Sequence, residues 1–256
     1  MTTTTTPHLC HIVEAGQAHE GAWNMACDEV LLEQALSRSR ASVRVYGWTR
    51  PTVSLGYFQD AGSLDHEVQL AGLDRVRRLS GGGTIVHHHE WTYSCVVPPH
   101  SDFSRTPLQL YDSIHAAIID LLQGLGFALT ARGPARDTDT PPVLCFARSA
   151  PQDLLVGDYK VLGSAQRRRR GAVLQHGSLL VRTSPHTPLF PGLLELAPQH
   201  ELPCHFPVEL ATTIATTISP SVRTTPLGPE DLERIGELAQ RHYATTDRTV
   251  SLGSAG

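Results

Sequence analysis

The sequence is short of lysine: of its 21 basic residues one is a lysine, Lys160, and the remaining 20 are arginines. A preference for arginine codons explains the arginines but leaves the single lysine unexplained. Arginine stays charged, whereas a lysine amine loses its proton more readily once it is removed from water. We therefore interpret Lys160 as a candidate functional residue that supplies a compact charge or a titratable amine.

Other features that are missing or scarce exclude whole classes of protein. No apolar run is long enough to span a bilayer, and the opening MTTTTTPH lacks the basic and apolar regions of a secretory signal. The net charge of −4 argues against a general nucleic-acid binder. We expect no membrane and no nucleic-acid partner. The cysteines are odd in number, without a CxxC pair, and we expect reduced thiols in a cytoplasm: Cys10, Cys27, Cys95, Cys145 and Cys204.

Length and periodicity favour one packed unit. The 256 residues, 40% of them apolar, are typical of a soluble globular chain. We predict a single α/β (α+β) domain over residues 9–245, between terminal tails at 1–8 and 246–256, with a mixed, largely antiparallel sheet flanked by helices. Alternating or short apolar patterns predict strands at 42–48, 52–56, 73–80, 84–88, 92–97, 152–156, 159–163 and 171–182.

Three helices are predicted from capping residues and helical spacing. Asn24 is the expected N-cap of the first helix. The second begins at Thr106 and ends at Gly126, with an apolar stripe at Tyr111, Ile114, Ile118, Leu121 and Leu125. The third spans 229–243. Residues 130–145 are predicted to form a loop, and residues 183–228, rich in proline and threonine, to be mostly irregular.

A two-residue turn at Gly157-Asp158 makes the position of Lys160 more specific. Such a hairpin pairs Leu155 with Lys160, and side chains at i and i+2 share a face, so Lys160 should lie beside Leu155 and Leu162. An ammonium on an apolar face is unfavourable, so we expect it to shed its proton readily or to have a partner that holds its charge. The alternative is an edge lysine whose head group reaches water.

Four further motifs are weaker taken singly. Three glycines in RRLSGGGTIVH allow close approach of a ligand to the backbone, although a plain turn explains them as well. In VHHHE, His87 and His89 would share a strand face, but no second cluster supports a metal site. The run Arg167–Arg170 is either a solvated strand end or a docking patch for an acidic protein. Cys145 lies in a proline-rich loop, and a nearby cation would favour its thiolate.

Three motifs in this order, NMACDEVLL, RRLSGGGTIVHHHEWTYS and GDYKVLGSAQRRRRGAVLQHGSLLV, resemble the biotin/lipoate protein ligase and transferase family. The resemblance covers roughly residues 20–245. Within the family it is greatest to octanoyltransferases in which a cysteine in a CF dipeptide precedes the lysine motif. Here that dipeptide is Cys145-Phe146, 15 residues before Lys160.

The resemblance implies a thioester relay without a required cofactor. Octanoyl from acyl carrier protein would be held on Cys145 and then passed to a lysine of a lipoyl domain or glycine-cleavage H protein. Lys160 would favour the thiolate, polarise the thioester carbonyl and take a proton from the incoming amine. The residues implied to bind substrate are Arg78, Ser80, Gly81, Gly82, Gly83, His87, Gly163, Ser164, Ala165 and His176, and those implied to dock a partner are Arg167, Arg168, Arg169 and Arg170.

Two points stay open in the sequence. Relatives usually carry an aspartate after the first histidine of the VH motif, whereas this chain has His88, so a bond that orients His87 is expected to be absent or replaced. The alternatives to the transferase are an ATP-dependent (ATP and Mg²⁺) lipoate ligase, an amidotransferase between carrier domains, and a carrier-binding protein without catalysis.

Overall fold

A large mixed β-sheet lies at the centre of the molecule. The computed structural model describes residues 9–64, 67–133 and 150–243. Along these residues the strands are β1 (Cys10–His19), β2 (Ala41–Trp48), β3 (Thr52–Leu55), β4 (Asp74–Arg77), β5 (Ile85–His87), β6 (Glu90–Val97), β7 (Leu129–Ala131), β8 (Leu154–Val156), β9 (Tyr159–Arg169), β10 (Ala172–Leu180) and β11 (Val222–Thr224). The helices are α1 (Gly21–Arg38), α2 (Asp102–Arg105), α3 (Pro107–Gly124), α4 (Leu193–Leu196), α5 (Phe206–Ile218) and α6 (Pro229–Leu238).

The strand order of the large sheet is β11-β1-β2-β6-β10-β9-β8-β7. Strand β1 runs parallel to β2 and β11, and the other neighbouring pairs are antiparallel. A second sheet of the described residues has the order β4-β3-β5 and carries the glycine loop between β4 and β5. The predicted α/β fold with a mixed, largely antiparallel sheet is therefore confirmed, although β1, β7 and β11 were not predicted.

Helices cover both faces of the large sheet. Successive strand residues point to opposite faces, so Val45 packs with α3 and α5 while Tyr46 packs with α1 and α6. On β6, Cys95 likewise packs in the cluster with α3 and α5, and Val96 packs in the cluster with α1 and α6. The resulting helix–sheet–helix layers bury two apolar clusters and hold the ends of β9 and β10 in fixed register.

The predicted N-cap of the first helix is wrong. Helix α1 begins at Gly21, and Asn24 lies one turn inside it with no exposed surface. The Asn24 side chain donates to the carbonyl of Gly47 at 3.2 Å and accepts from Arg44 at 2.8 Å. A buried polar side chain needs such partners, so tertiary contacts place this asparagine and helix capping does not.

Helix α3 agrees with the prediction at both ends. Thr106 occupies the N-cap position with Pro107 next to it, although the threonine hydroxyl does not cap the helix backbone. Gly126, just beyond the end, has a φ of +93°, which favours glycine. Of the predicted stripe, Ile114 and Ile118 are fully buried, and the core face also includes Leu110, His115 and Leu122.

The prediction that residues 183–228 are mostly irregular is wrong for one segment. Helix α5 packs against the large sheet and contributes Phe206, Leu210, Ile214 and Ile218 to the core. These residues recur every four positions, which is a helical spacing. Threonines on the outer face lower intrinsic helix propensity, and packing of the apolar face overrides it.

The last predicted helix, 229–243, is confirmed as α6 followed by a π-helical turn over Ala239–Tyr243. None of the helices in the described ranges is long and apolar enough to cross a membrane. The predicted tails at 1–8 and 246–256, and most of the predicted loop 130–145, lie outside the described residues.

Candidate active site

Lys160 lies where the predicted hairpin puts it. Strands β8 and β9 pair Val156 with Tyr159 and Leu155 with Lys160. The lysine side chain is only 5% exposed, and its Nζ lies 2.9 Å from Oδ1 of Asp153. The alternative of an edge lysine reaching water is therefore wrong, and the expected partner that holds its charge is Asp153.

Asp153 was not predicted, and it connects Lys160 to the neighbouring chain. Its Oδ2 accepts from the backbone N–H of Ala150 at 2.8 Å, and its carbonyl accepts from the N–H of Arg132 at 2.9 Å. The N–H of Gly133 donates to the carbonyl of Pro151 at 3.0 Å. Gly133 and Ala150, the described residues on either side of 134–149, are thus held near the buried ion pair. The sequence signal was an isolated acid directly before an apolar strand that faces the lysine.

Gly163 provides the space for the lysine side chain. A Cβ on Gly163 would lie 2.6 Å from Cε and 2.9 Å from Nζ of Lys160. The predicted wall residue therefore acts by having no side chain, which lets the ammonium lie across the strand. Gly177, on the neighbouring strand, has the same role toward Ser164 and Tyr93.

Ser164 is held by a ring of buried polar groups. Its hydroxyl lies 2.8 Å from the Tyr93 hydroxyl and 2.7 Å from Nε2 of His115, whose Nδ1 lies 2.7 Å from the carbonyl of Gln152. Nδ1 must therefore carry the proton, and Nε2 accepts from Ser164. Burial, aided by the charge of Lys160, lowers the pKa of His115 to about 4, against the bond to Gln152. His115 is thus a neutral acceptor, which helical spacing alone could not reveal.

The glycine loop is built around Arg78. This buried guanidinium donates to the carbonyls of Ser54 at 2.9 Å, Gly81 at 2.9 Å and Gly83 at 2.6 Å. Arg78, which is predicted to bind substrate, holds the loop in shape with these bonds and also lines the cleft. Gly56 packs so closely on Gly82 that a Cβ there would collide with the loop backbone.

Ser80 and His176, both predicted, are joined through a buried hydrogen bond. Ser80 Oγ contacts Nε2 of His176, and Nδ1 of His176 lies 3.4 Å from Oδ2 of Asp28. Burial raises the pKa of the Asp28 carboxyl, but the bond from His176 and the charge of Arg44 outweigh it and hold the pKa below its usual value. The ionised Asp28 carboxylate accepts from Nδ1 of His176, and the contact of Nε2 with Ser80 ties the glycine loop to β10.

Glu90 orients His87, which answers the question raised by His88. The Glu90 carboxylate lies 2.7 Å from Nδ1 of His87, and Ser54 Oγ lies 2.7 Å from Nε2. The ring also stacks on Trp48 at a centroid distance of 3.9 Å. Burial lowers the pKa of His87, although the charge of Glu90 opposes this. The expected orienting bond is therefore replaced, since His88 contacts Ser184 at 3.1 Å instead.

Six of the ten residues predicted to bind substrate line one narrow cleft, whose empty volume is about 430 Å³ with its opening to solvent included. Its lining is Met25, Tyr46, Arg78, Ile85, His87, Thr92, Gly163, Ser164, Ala165, His176, Gly177 and Ser178. Ser80 and the glycines at 81–83 are not part of this lining. Ser80 and Lys160 adjoin it through His176 and Gly163. A concave site with apolar walls and a few convergent polar groups is typical of a small-ligand site. Cys145 lies outside the described residues.

Of the four cysteines among the described residues, three are buried and poor nucleophiles, and the fourth lies on the surface. Burial raises the pKa of Cys10 and of Cys27 to about 12, and it raises the pKa of Cys95 as well. Cys204 is exposed. Among residues 9–64, 67–133 and 150–243 there is no cluster of three side chains suited to hold a metal.

Comparison with known proteins places this geometry in a family. The family model of the lipoyl protein ligase A/B catalytic domain matches residues 20–223. The chain therefore belongs to the lipoyl protein ligase A/B catalytic-domain family, and the resemblance seen in its motifs is confirmed.

Curated relatives share substantial sequence with this chain. It is 41% identical over 167 residues to octanoyltransferase LipM of Carboxydothermus hydrogenoformans, which is 63% of this chain and 61% of that relative. It is 38% identical over 172 residues to octanoyltransferase LipM of Symbiobacterium thermophilum, again 63% of this chain and 61% of the relative. The chain thus spans less than two thirds of the length of these relatives.

Solved structures share the fold at low identity. A lipoate-protein ligase A bound with ATP superimposes with a TM-score of 0.66 at 20% identity, over 93% of this chain and 96% of that one. A bipartite lipoate protein ligase of Thermoplasma acidophilum gives 0.62 at 19% identity, over 92% and 95%. These likenesses bear on the fold alone.

Proposed function

We propose that this protein is an octanoyltransferase that carries the acyl group on Cys145. The observation that carries the proposal is the buried Lys160–Asp153 pair, near which the described residues on either side of 134–149 are held. Five residue steps separate Cys145 from Ala150 and span at most about 18 Å. The relatives named octanoyltransferase support the same reaction.

The cleft suits an acyl chain. Met25, Ile85 and Ala165 give it apolar walls, and His87 and His176 have their ring nitrogens engaged by protein groups. Burial of each methylene of an acyl chain against these walls would contribute about 0.8 kcal/mol. Arg78 and His176, which hold the glycine loop, line the same cleft.

In the first step the Cys145 thiolate would attack the thioester carbonyl of octanoyl-acyl carrier protein. The bond from the carbonyl carbon to the phosphopantetheine sulfur breaks, and that sulfur leaves as a thiolate that takes a proton from the Lys160 ammonium, which becomes neutral. The Lys160 ammonium would favour the attacking thiolate and stabilise the developing oxyanion. Asp153 would hold the ammonium in place.

In the second step the ε-amine of the acceptor lysine would attack the Cys145 thioester. An amide bond forms, the bond from carbon to Cys145 sulfur breaks, and the amine gives up one proton. Lys160, once neutral, would accept that proton. The acceptor would be a lipoyl domain or a glycine-cleavage H protein, and the reaction would take place in the cytoplasm.

The energy for transfer would come from the donor thioester, so no ATP would be needed. The test is a transfer assay with octanoyl-acyl carrier protein and apo-H protein, with and without ATP and Mg²⁺. We expect octanoylated H protein in both conditions at equal rates. A product that forms only from free acid with ATP would identify a ligase and refute the proposal. Transfer only from an octanoylated carrier domain would identify an amidotransferase.

A further inference from the structure

A short loop after β3 is held rigidly beside the glycine loop. One guanidinium nitrogen of Arg77 donates to the carbonyls of Gly56 at 2.8 Å, Tyr57 at 3.2 Å and Gln59 at 2.6 Å. The Gln59 side chain donates to Thr84 at 2.5 Å, and the N–H of Tyr57 donates to the carbonyl of Ser80 at 2.8 Å. The backbone of residues 56–59 therefore has a fixed conformation.

This rigid loop presents an aromatic side chain to solvent. Phe58 is 82% exposed and contacts Tyr57 edge to face, with ring centroids 4.8 Å apart. The Phe58 ring contributes little to the core formed by the described residues, so packing within the fold does not account for it. A rigid exposed aromatic residue is what anchors a protein interface, since few rotamers are lost when it is buried.

The same loop lies at the mouth of the cleft. Along β9, the residues that share the cleft face are Gly163, Ala165 and then Arg167, because side chains alternate along a strand. The Arg167 guanidinium lies over the Tyr57 ring at 4.5 Å. Phe58 and Arg167 therefore stand together just outside the cleft wall formed by Gly163 and Ala165.

A further arginine, Arg170, lies in the turn directly after β9. It is exposed, and within the described part of the chain it is not paired with a carboxylate, whereas Arg169 lies 3.5 Å from Glu29. Arg168 points to the opposite face of the strand from Arg167. Arg167 and Arg170 stand on a chain of net charge −4. The surface fits an acidic partner with an apolar spot for Phe58.

We propose that Phe58, Arg167 and Arg170 form the docking surface for the acyl donor, an acidic carrier protein, a proposal that rests on the octanoyltransferase function. The donor presents its acyl group on an arm with a phosphodiester, and Arg167 at the cleft mouth complements that anion. The acceptor enters with a lysine, whose positive charge Arg167 would repel. The charge at the mouth thus favours the donor.

The experiment measures the loading half-reaction alone. Wild type, Phe58→Ala and Leu189→Ala are mixed with octanoyl-acyl carrier protein, and acyl-enzyme is quantified by intact mass against donor concentration. Leu189 is the matched control because it is also 82% exposed. We expect Phe58→Ala to raise the half-saturating donor concentration about tenfold, with Leu189→Ala unchanged. Loading from octanoyl-pantetheine, which lacks the carrier protein, should be equal in all three.

The outcomes separate this proposal from the function on which it rests. If wild type is not acylated by octanoyl-acyl carrier protein, the octanoyltransferase function fails. If wild type is acylated and Phe58→Ala has the same half-saturation, the docking surface alone is refuted. A rise that appears only for the acceptor, measured from preloaded enzyme, also overturns it, since the surface would then serve the acceptor.

Discussion

Acidification should destabilise the protein through His115, the neutral histidine behind the cleft wall. Its folded pKa is lowered to about 4, chiefly by burial, whereas an exposed histidine titrates near 6.5. Because the folded pKa is depressed, the unfolded chain binds the proton more readily. The stabilisation is therefore complete above pH 6.5 and is lost as the pH falls toward 4.

The expected magnitude follows from the two pKa values. Between pH 7 and pH 5 the unfolded state gains about 0.7 of a proton at this position and the folded state about 0.1, which removes about 2 kcal/mol from the free energy of unfolding. His115→Gln keeps a polar side chain that cannot titrate. Its free energy of unfolding should be lower at pH 7, but should fall by about 2 kcal/mol less between the two pH values.

Urea unfolding of wild type and His115→Gln at pH 7 and pH 5, at constant ionic strength, measures how the free energy of unfolding of each protein depends on pH. The other buried histidines, including His87, titrate in both proteins and cancel in the comparison. Equal pH dependence in the two proteins would show that His115 is not held neutral by its surroundings.

Two further substitutions test the lysine site. Lys160→Arg keeps a cation beside the thiol but cannot accept a proton, so octanoyl-Cys145 should accumulate in a single turnover; transfer at the wild-type rate would contradict the role of Lys160 as base. Gly163→Ala places a methyl group 2.6 Å from Cε of Lys160, and it should lower transfer more than tenfold with little loss of stability. The control is Gly124→Ala, whose new Cβ has no atom within 4 Å and which should leave transfer unchanged. Equal activity of the two alanine variants would show that the lysine position is not critical.

The position of Lys160 was predictable because local rules determine it. A two-residue turn sets which residues oppose one another, and alternation sets the face. Both rules depend only on residues within a few positions of the turn. The apolar spacing of α3 was predictable for the same reason, since its core side chains recur along one helix face.

The partners of the predicted residues were not predictable because they are distant in sequence or serve tertiary needs. His115 reaches Ser164 from 49 positions away, and Asp28 reaches His176 from 148 positions away. The sequence around Asn24 predicts a helix N-cap, yet its side chain instead accepts a hydrogen bond from the buried Arg44. The local sequence pattern can identify such residues as candidates. Their hydrogen-bond partners, however, are determined by how the sheet and helices pack.

The most direct test of the account is the mass of the protein after brief incubation with octanoyl-acyl carrier protein. We expect one added octanoyl group, sensitive to hydroxylamine as a thioester is, located by peptide mapping on Cys145 and missing in Cys145→Ala. The Cys204→Ala variant, which removes the exposed cysteine, should be acylated like wild type. Acylation that persists in Cys145→Ala, or transfer to apo-H protein by that variant at the wild-type rate, would contradict the relay.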